Sequence, residues 1–233
     1  VKENGAPTWE IVGRPQGGIH AGGVVWYGNH LYVADTRRGL RVFDMRYIFD
    51  LAESPEGDAT GPAFGYRYVM PQVGAWVNAA GPDNDDPGST CSGSGAPRFS
   101  YVSLDRSATP DQLITGEYCA TGDTGRVARW PVPGQADGRV LATDAYRLPR
   151  DQIQGAVSYE GTWYLNRSTG KDASGNWNPG QLILAAPGGG ELRETAVRAA
   201  GVGPEDLSFW PADGQLWSLT EHAPNRMLYA VPR

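Results

Sequence analysis

The 233 residues carry 20 Lys and Arg against 26 Asp and Glu, a formal charge of -6. No basic face is therefore available to neutralise phosphates, and nucleic acid is excluded as a partner. No apolar run approaches the roughly 18 residues of a spanning helix, so membrane insertion is not expected, and the opening "VKENGAPTWE" lacks the apolar core of a signal peptide. The length fits one domain, residues 1–233, and 32 Gly with 18 Pro spread along the chain predict many turns and hence many short strands.

In chain order, the first clear element is the hairpin in "HLYVADTRRGLRVFDM". Leu31 to Ala34 and Leu40 to Phe43 read as strands, and Gly39 can turn between them. An apolar strand, "GGVVWYGN", precedes it. The same succession of strand, turn, strand, turn-rich loop and strand returns in "FSYVSLDRS" with "QLITGEYCATGDTGRVARWPVP". It returns again in "GAVSYEG" with "TWYLNRSTGKDASGNWNPGQLILAAPGG", and in "DLSFWPADG" with "QLWSLTEHAPNRMLYAVPR". Three strands thus recur four times, at a spacing of about 50 residues once long insertions are allowed for. Fourth strands follow the first three units at "GYRYVMPQV", "DAYRLPRDQ" and "LRETAVRAAG", and the N-terminal "PTWEIVGRPQ" is the candidate fourth strand of the last. Between the first two units, Tyr47, Ile48 and Leu51 have helical spacing and predict a short helix.

These elements predict an all-β chain. The expected architecture is a four-bladed β-propeller, with five blades or a β-sandwich as alternatives, its ring closed by the N-terminal strand joining the last blade. Trp26, Trp163, Trp210 and Trp217 fall on strand patterns and are assigned to the core. The run "LYVADTRRGLRVFDM" resembles the LVIVD and NHL classes of propeller repeat. With "GPEDLSFWPADGQLWSLTEH" added, the chain is similar to a group of secreted actinobacterial propeller-like proteins. The resemblance implies a fold and export but no reaction, because propellers host many unrelated functions.

Propeller geometry would bring the entry to each first strand and the end of each second strand to one rim. The entries supply His20, Trp76, Asn78, Gln154 and Glu205; the strand ends supply Asp35, Glu117, Arg167 and Glu221, a charged residue at the same place in every unit. The same residues are equally accounted for by pairing with neighbours or by facing solvent. Two long loops, around Cys91 and around Trp177, fall on the same rim. Cys91 and Cys119 are the only cysteines; a disulfide, two buried thiols or chance all account for a pair, and the loop surroundings favour the disulfide, hence an oxidising compartment and a secreted chain. Trp177 lies between Asn176 and Asn178, which suits stacking on a sugar, or alternatively folding back as a lid.

Metal and nucleophile motifs such as HExxH, CxxC pairs, GxSxG and the P-loop are missing from the sequence. No cofactor is assigned; a divalent cation such as calcium is the one left open, at "DNDDPG" or among the rim carboxylates, although Pro87 spoils the first and Arg167 opposes the second. His20 and His222 are the histidines on the candidate rim. The primary expectation is a secreted recognition module that binds a glycan or another extracellular small molecule through Trp177 and the rim residues. The alternative is a metal-assisted hydrolase of the lactonase or phosphodiesterase kind, with Glu205, Glu117, Glu221 and Asp35 around a cation.

Overall fold

The computed structural model describes residues 2–3, 6–7, 20–36, 38–51, 66–77, 91, 97–120, 122–132, 140–223 and 226–233. All regular structure among them is β. Strands β1 (Lys2–Glu3) and β2 (Ala6–Pro7) form a two-stranded pair. Strands β3 (Ala21–Tyr27), β4 (His30–Asp35) and β5 (Gly39–Asp44) form a meander. Strands β6 (Phe49–Asp50) and β7 (Tyr68–Val69) pair with each other, and β8 (Gln72–Val77) completes the first four-stranded sheet, in the order β3-β4-β5-β8.

The next eight strands are one sheet. They are β9 (Tyr101–Asp105), β10 (Gln112–Gly116), β11 (Arg126–Pro131), β12 (Asp144–Arg147), β13 (Ile153–Tyr159), β14 (Thr162–Arg167), β15 (Pro179–Gly188) and β16 (Glu191–Val202). Their order is β13-β14-β15-β16-β12-β11-β10-β9. Two antiparallel meanders are joined by a parallel contact in which Arg147 lies opposite Glu191, reinforced by the Arg147 N–H donating to the Gly190 carbonyl at 3.1 Å. A bidentate ion pair between Arg150 and Glu194 spans the same junction. The sheet nearly closes on itself, because the Ser103 hydroxyl of one end strand, β9, donates to the Ala156 carbonyl of the other, β13. Strands β17 (Pro204–Trp210), β18 (Gln215–Thr220) and β19 (Leu228–Pro232) make a final three-stranded sheet.

Side-chain alternation explains this arrangement. Tyr101, Ile114 and Val127 from one meander meet Ile153, Trp163, Leu165 and Ile183 from the other in the interior of the eight-stranded sheet. Their neighbours point outward: Val102 and Leu113 pack on Val25, Tyr32, Leu40 and Val42 of the first sheet, whereas Tyr164 and Leu182 pack on Leu207 and Leu216 of the last. Strands covered on both faces read as nearly continuous apolar runs, as "YVSL" and "QLIL" do.

The propeller expectation is overturned, with four blades or with five. Separate radial blades require the outer strands of neighbouring units to stay apart, but the twelve-residue β16 reaches β12 and fuses the second and third units into a barrel-like sheet. The closing strand expected over 7–16 lies outside the described residues except for Pro7, which pairs with Lys2. Within the described residues, β19 is paired only with β18. The helix expected around Tyr47–Leu51 is also corrected. Phe49–Asp50 is extended and pairs with Tyr68–Val69, and Asp50 holds Arg67 at 2.9 Å, so cross-strand partners override the local spacing. Trp163 is core as expected, but Trp26 and Trp210 are exposed, 65% and 58% respectively.

Inner strands of all three larger sheets converge at Asp206. A Cβ added to Gly23 of β3 would lie 2.1 Å from the Asp206 carboxylate, and one added to Gly155 of β13 would lie 2.6 Å from the Asp206 Cα. The second contact is with backbone and cannot be relieved by a rotamer change. Gly155→Ala is therefore expected to destabilise the protein by about 1–3 kcal/mol, as overpacking does, which a urea melt would measure.

Candidate functional site

Three of the four predicted rim charges are consumed inside their own sheets. Asp35, 4% exposed at the end of β4, accepts hydrogen bonds from Arg41 Nε at 2.9 Å and from a terminal guanidinium nitrogen at 2.8 Å. Glu117, 2% exposed, accepts four: from the backbone N–H groups of Arg98 and Arg126 at 3.0 and 2.8 Å, and from the Arg126 guanidinium at 2.9 and 2.8 Å. Arg167 donates to the Asp151 carbonyl at 3.1 Å, to the Asp151 carboxylate at 2.5 Å and to Gln181 Oε1 at 3.0 Å. These are neutralised structural groups. A cleft of about 220 Å³ beside Asp35 is lined by Arg38, Arg41, Gln72 and Trp76 among others; Trp76 belongs to β8, an outer strand, and not to the entry of the second unit.

His20 is exposed, with Nδ1 3.0 Å from the Thr36 hydroxyl. Gln154 is the extra residue of a bulge between Ile153 and Gly155. Asn78 and the "DNDDPG" segment lie outside the described residues. Asn166, which begins the glycosylation-like "NRS", is buried in β14 and donates to the Glu205 carbonyl at 2.7 Å and to Ser218 Oγ at 2.8 Å.

The remaining four predicted residues come together at one corner. A bulge between Pro204 and Leu207 of β17 re-aims two consecutive acidic side chains. Glu221 follows β18, and its N–H donates to the Gly203 carbonyl two residues before Glu205. Burial, and then the charge of Glu221, push Glu205 up to about 7. Asp206 instead turns inward, where Oδ1 accepts from the Leu207 N–H at 2.8 Å and Oδ2 from the Val102 N–H at 3.3 Å. Desolvation there raises its carboxyl well above the usual range, against the pull of the two N–H groups. Sequence reasoning singled out Glu205 and missed Asp206. The available signal was the bulge-forming "GPED" opposite "AGG" and "QGA", strands whose glycines leave room for one side chain.

His222 and Trp177 complete the corner. The His222 Nδ1 lies 3.7 Å from Glu221 Oε2, and its Nε2 is buried with no hydrogen-bond partner. Gly203 makes the space: its φ is +60°, and an added Cβ would sit 2.7 Å from the imidazole. The Glu221 N–H donates to the Gly203 carbonyl at 2.9 Å, fixing the segment. The Trp177 ring stacks on His222 with centroids 3.6 Å apart and planes inclined by 15°. Trp177 arrives on a finger between β14 and β15. There Lys171 bridges to Trp177, the Asn178 N–H donates to the Gly170 carbonyl at 3.0 Å, and Asp172 Oδ1 accepts from the Ser174 and Asn176 N–H groups at 2.8 and 2.9 Å. The Lys171 ammonium lies 4.5 Å from the Trp177 ring centroid, and the Trp remains 41% exposed.

No group of three or more His, Cys, Asp or Glu side chains is placed to hold a metal ion among the described residues. The four-carboxylate set expected for a cation is divided, since Asp35 and Glu117 are each locked on an arginine.

The carboxyl pair makes stability depend on pH with a definite sign. Glu205 binds its proton more tightly folded than unfolded, so its contribution is complete below about pH 4.5 and is lost as pH rises through 7. Allowing for solvent screening, the loss is about 1–3 kcal/mol. Glu205→Gln, which mimics the protonated form, is expected to flatten the melting temperature between pH 5 and 8 and to exceed the wild type at pH 8.

No family model matches the chain, and no curated protein matches it. Among solved structures, the crystal structure of the computationally designed Ika4 protein is similar at 11% identity, covering 97% of this chain and 99% of that one, with a TM-score of 0.37.

Proposed function

We propose that the protein is an extracellular recognition module that binds a hydroxyl-rich ligand, such as a glycan, at the corner formed by Trp177, His222, Glu221 and Glu205. The observation that carries this reading is a tryptophan, 41% exposed, fixed by a preorganised finger and stacked on His222, which lies beside the Glu221 carboxylate. Exposed aromatic surface takes the C–H face of a sugar, while carboxyl groups beside it accept hydrogen bonds from hydroxyls. The Lys171 ammonium, over the Trp177 ring at 4.5 Å from its centroid, adds donors beside it. The Cys91–Cys119 disulfide supports export, since such bonds persist in oxidising compartments.

A glycan array probed with the wild type and with Trp177→Ala tests the reading. Bound glycans are expected to lose about 30-fold or more in affinity in the variant, the scale of a tryptophan hot spot. Equal binding by a variant with an unchanged melt would remove Trp177, and with it this reading.

A further inference from the structure

The cleft of about 220 Å³ in the first sheet is built by a tight turn and an outer strand. The Arg38 N–H donates to the Asp35 carbonyl at 3.0 Å, which closes the turn between β4 and β5 and sets Arg38 in the cleft wall. Gly39 follows with φ at +133°, and an added Cβ would lie 2.0 Å from the Trp76 carbonyl, so glycine is what lets β8 approach β5 here. Strand alternation then places Asp35, Arg41, Ala75 and Val77 on one face of the sheet. Ala75 stands opposite Arg41, and its short side chain leaves the hollow beside the guanidinium.

That guanidinium has donors to spare. Of the five N–H groups an arginine carries, Nε and Nη2 each direct one to Asp35 Oδ2, at 2.9 and 2.8 Å, and Nη1 directs one to Gln72 Oε1 at 3.1 Å. The second N–H of each terminal nitrogen has no acceptor among the described residues. Charge is left over as well: Arg129 is shared between two carboxylates, Asp105 and Asp144, whereas Arg41 meets one carboxylate and a neutral amide. With Arg38, the cleft lining carries two guanidinium groups against one carboxylate. The Arg41 side chain is 17% exposed and held from two sides, so little ordering remains to be done when a ligand arrives. A cavity of about 150 Å³ takes a benzene ring, and this cleft is larger.

We propose that the cleft is a second binding site, which takes a small carboxylate ligand: its anionic end meets the remaining N–H groups on Arg41 Nη1 and Nη2, and its apolar part lies against Ala75 and Val77. Two parallel donors on a fixed guanidinium match the two oxygens of a carboxylate. Arg38 adds attraction from the cleft wall. The site is separate from the Trp177 corner and does not rest on the glycan reading.

Benzoate is the probe, and benzamide is its uncharged counterpart. Titrations of the full chain follow the backbone amide signals of Gly39, Ala75 and Val77 and the Arg41 Nε signal by NMR. Benzoate is expected to bind saturably with a Kd in about the millimolar range, the scale for a ligand of that size. Benzamide is expected to bind about tenfold or more weakly, because hydrogen bonds to a charged acceptor are the stronger ones. Ala75→Leu fills the hollow from an exposed position without removing a hydrogen-bonding side chain, and is expected to abolish the benzoate shifts while the melt stays as in the wild type. Trp177→Ala is expected to bind benzoate like the wild type, which keeps this site and the glycan reading apart. The proposal is overturned by the absence of saturable shifts at about 20 mM benzoate, by an equal response to benzamide, or by unchanged binding in Ala75→Leu. Benzoate shifts confined to the Trp177 corner would overturn it too, and would leave the glycan reading standing.

Discussion

Replacing Arg126 with methionine is expected to destabilise the protein by about 3–5 kcal/mol, the range for removing one partner of a buried ion pair. Glu117 is 2% exposed and receives two of its four hydrogen bonds from the Arg126 guanidinium. Methionine keeps the aliphatic volume but leaves a desolvated carboxylate with only the two backbone donors, Arg98 and Arg126. The Glu117→Gln, Arg126→Met double variant is expected to recover much of the loss, because the remaining amide carries no charge. A ligand-binding Glu117 would give the opposite pattern, with little change in stability and a large change in binding. Urea melts of the two variants distinguish these roles.

Opening the Cys91–Cys119 bridge is expected to cost about 3–4 kcal/mol, the loop-entropy scale for the 28-residue separation it closes. The bond has a second effect that the loop length does not capture. Cys119 Sγ would lie 2.7 Å from a Cβ added to Gly125, and the Cys119 carbonyl accepts the Gln152 N–H at 2.8 Å, so the bridge sits against the connection into β13. Both cysteines are nearly fully buried. The Cys91→Ser, Cys119→Ser double variant should therefore melt earlier and expose the turn before β13 to hydrogen exchange. An unchanged melt would mean that the surrounding packing alone holds this region.

The strands were legible in the sequence because burial on one or both faces writes itself into local patterns, as in Tyr101–Asp105 or Gln181–Ala185. The joining of β12 to β16 was not. It depends on how far a long outer strand extends and on Arg150 finding Glu194, 44 positions away. The site was partly legible for the same reason. Asp35, Glu117 and Arg167 stand out as charges ending apolar strands, but what they do is decided by partners nearby in the chain: Arg41, Arg126 and Asp151. Hairpin register alone places Asp35 opposite Gly39 and near Arg41, so that pair was within reach of the sequence. The stack of Trp177 on His222 was not, because it joins a finger of one sheet to a loop of another across 45 residues of sequence. The ring folds back onto His222 and stays 41% exposed.

Amide chemical-shift mapping with a soluble oligosaccharide chosen from the array tests the central claim most directly. Perturbations are expected to concentrate in residues 166–178, 203–206 and 218–222. Shifts centred instead on Asp35, Arg38 and Trp76, or no shifts with any array-positive sugar, would contradict the assignment of recognition to the Trp177 corner.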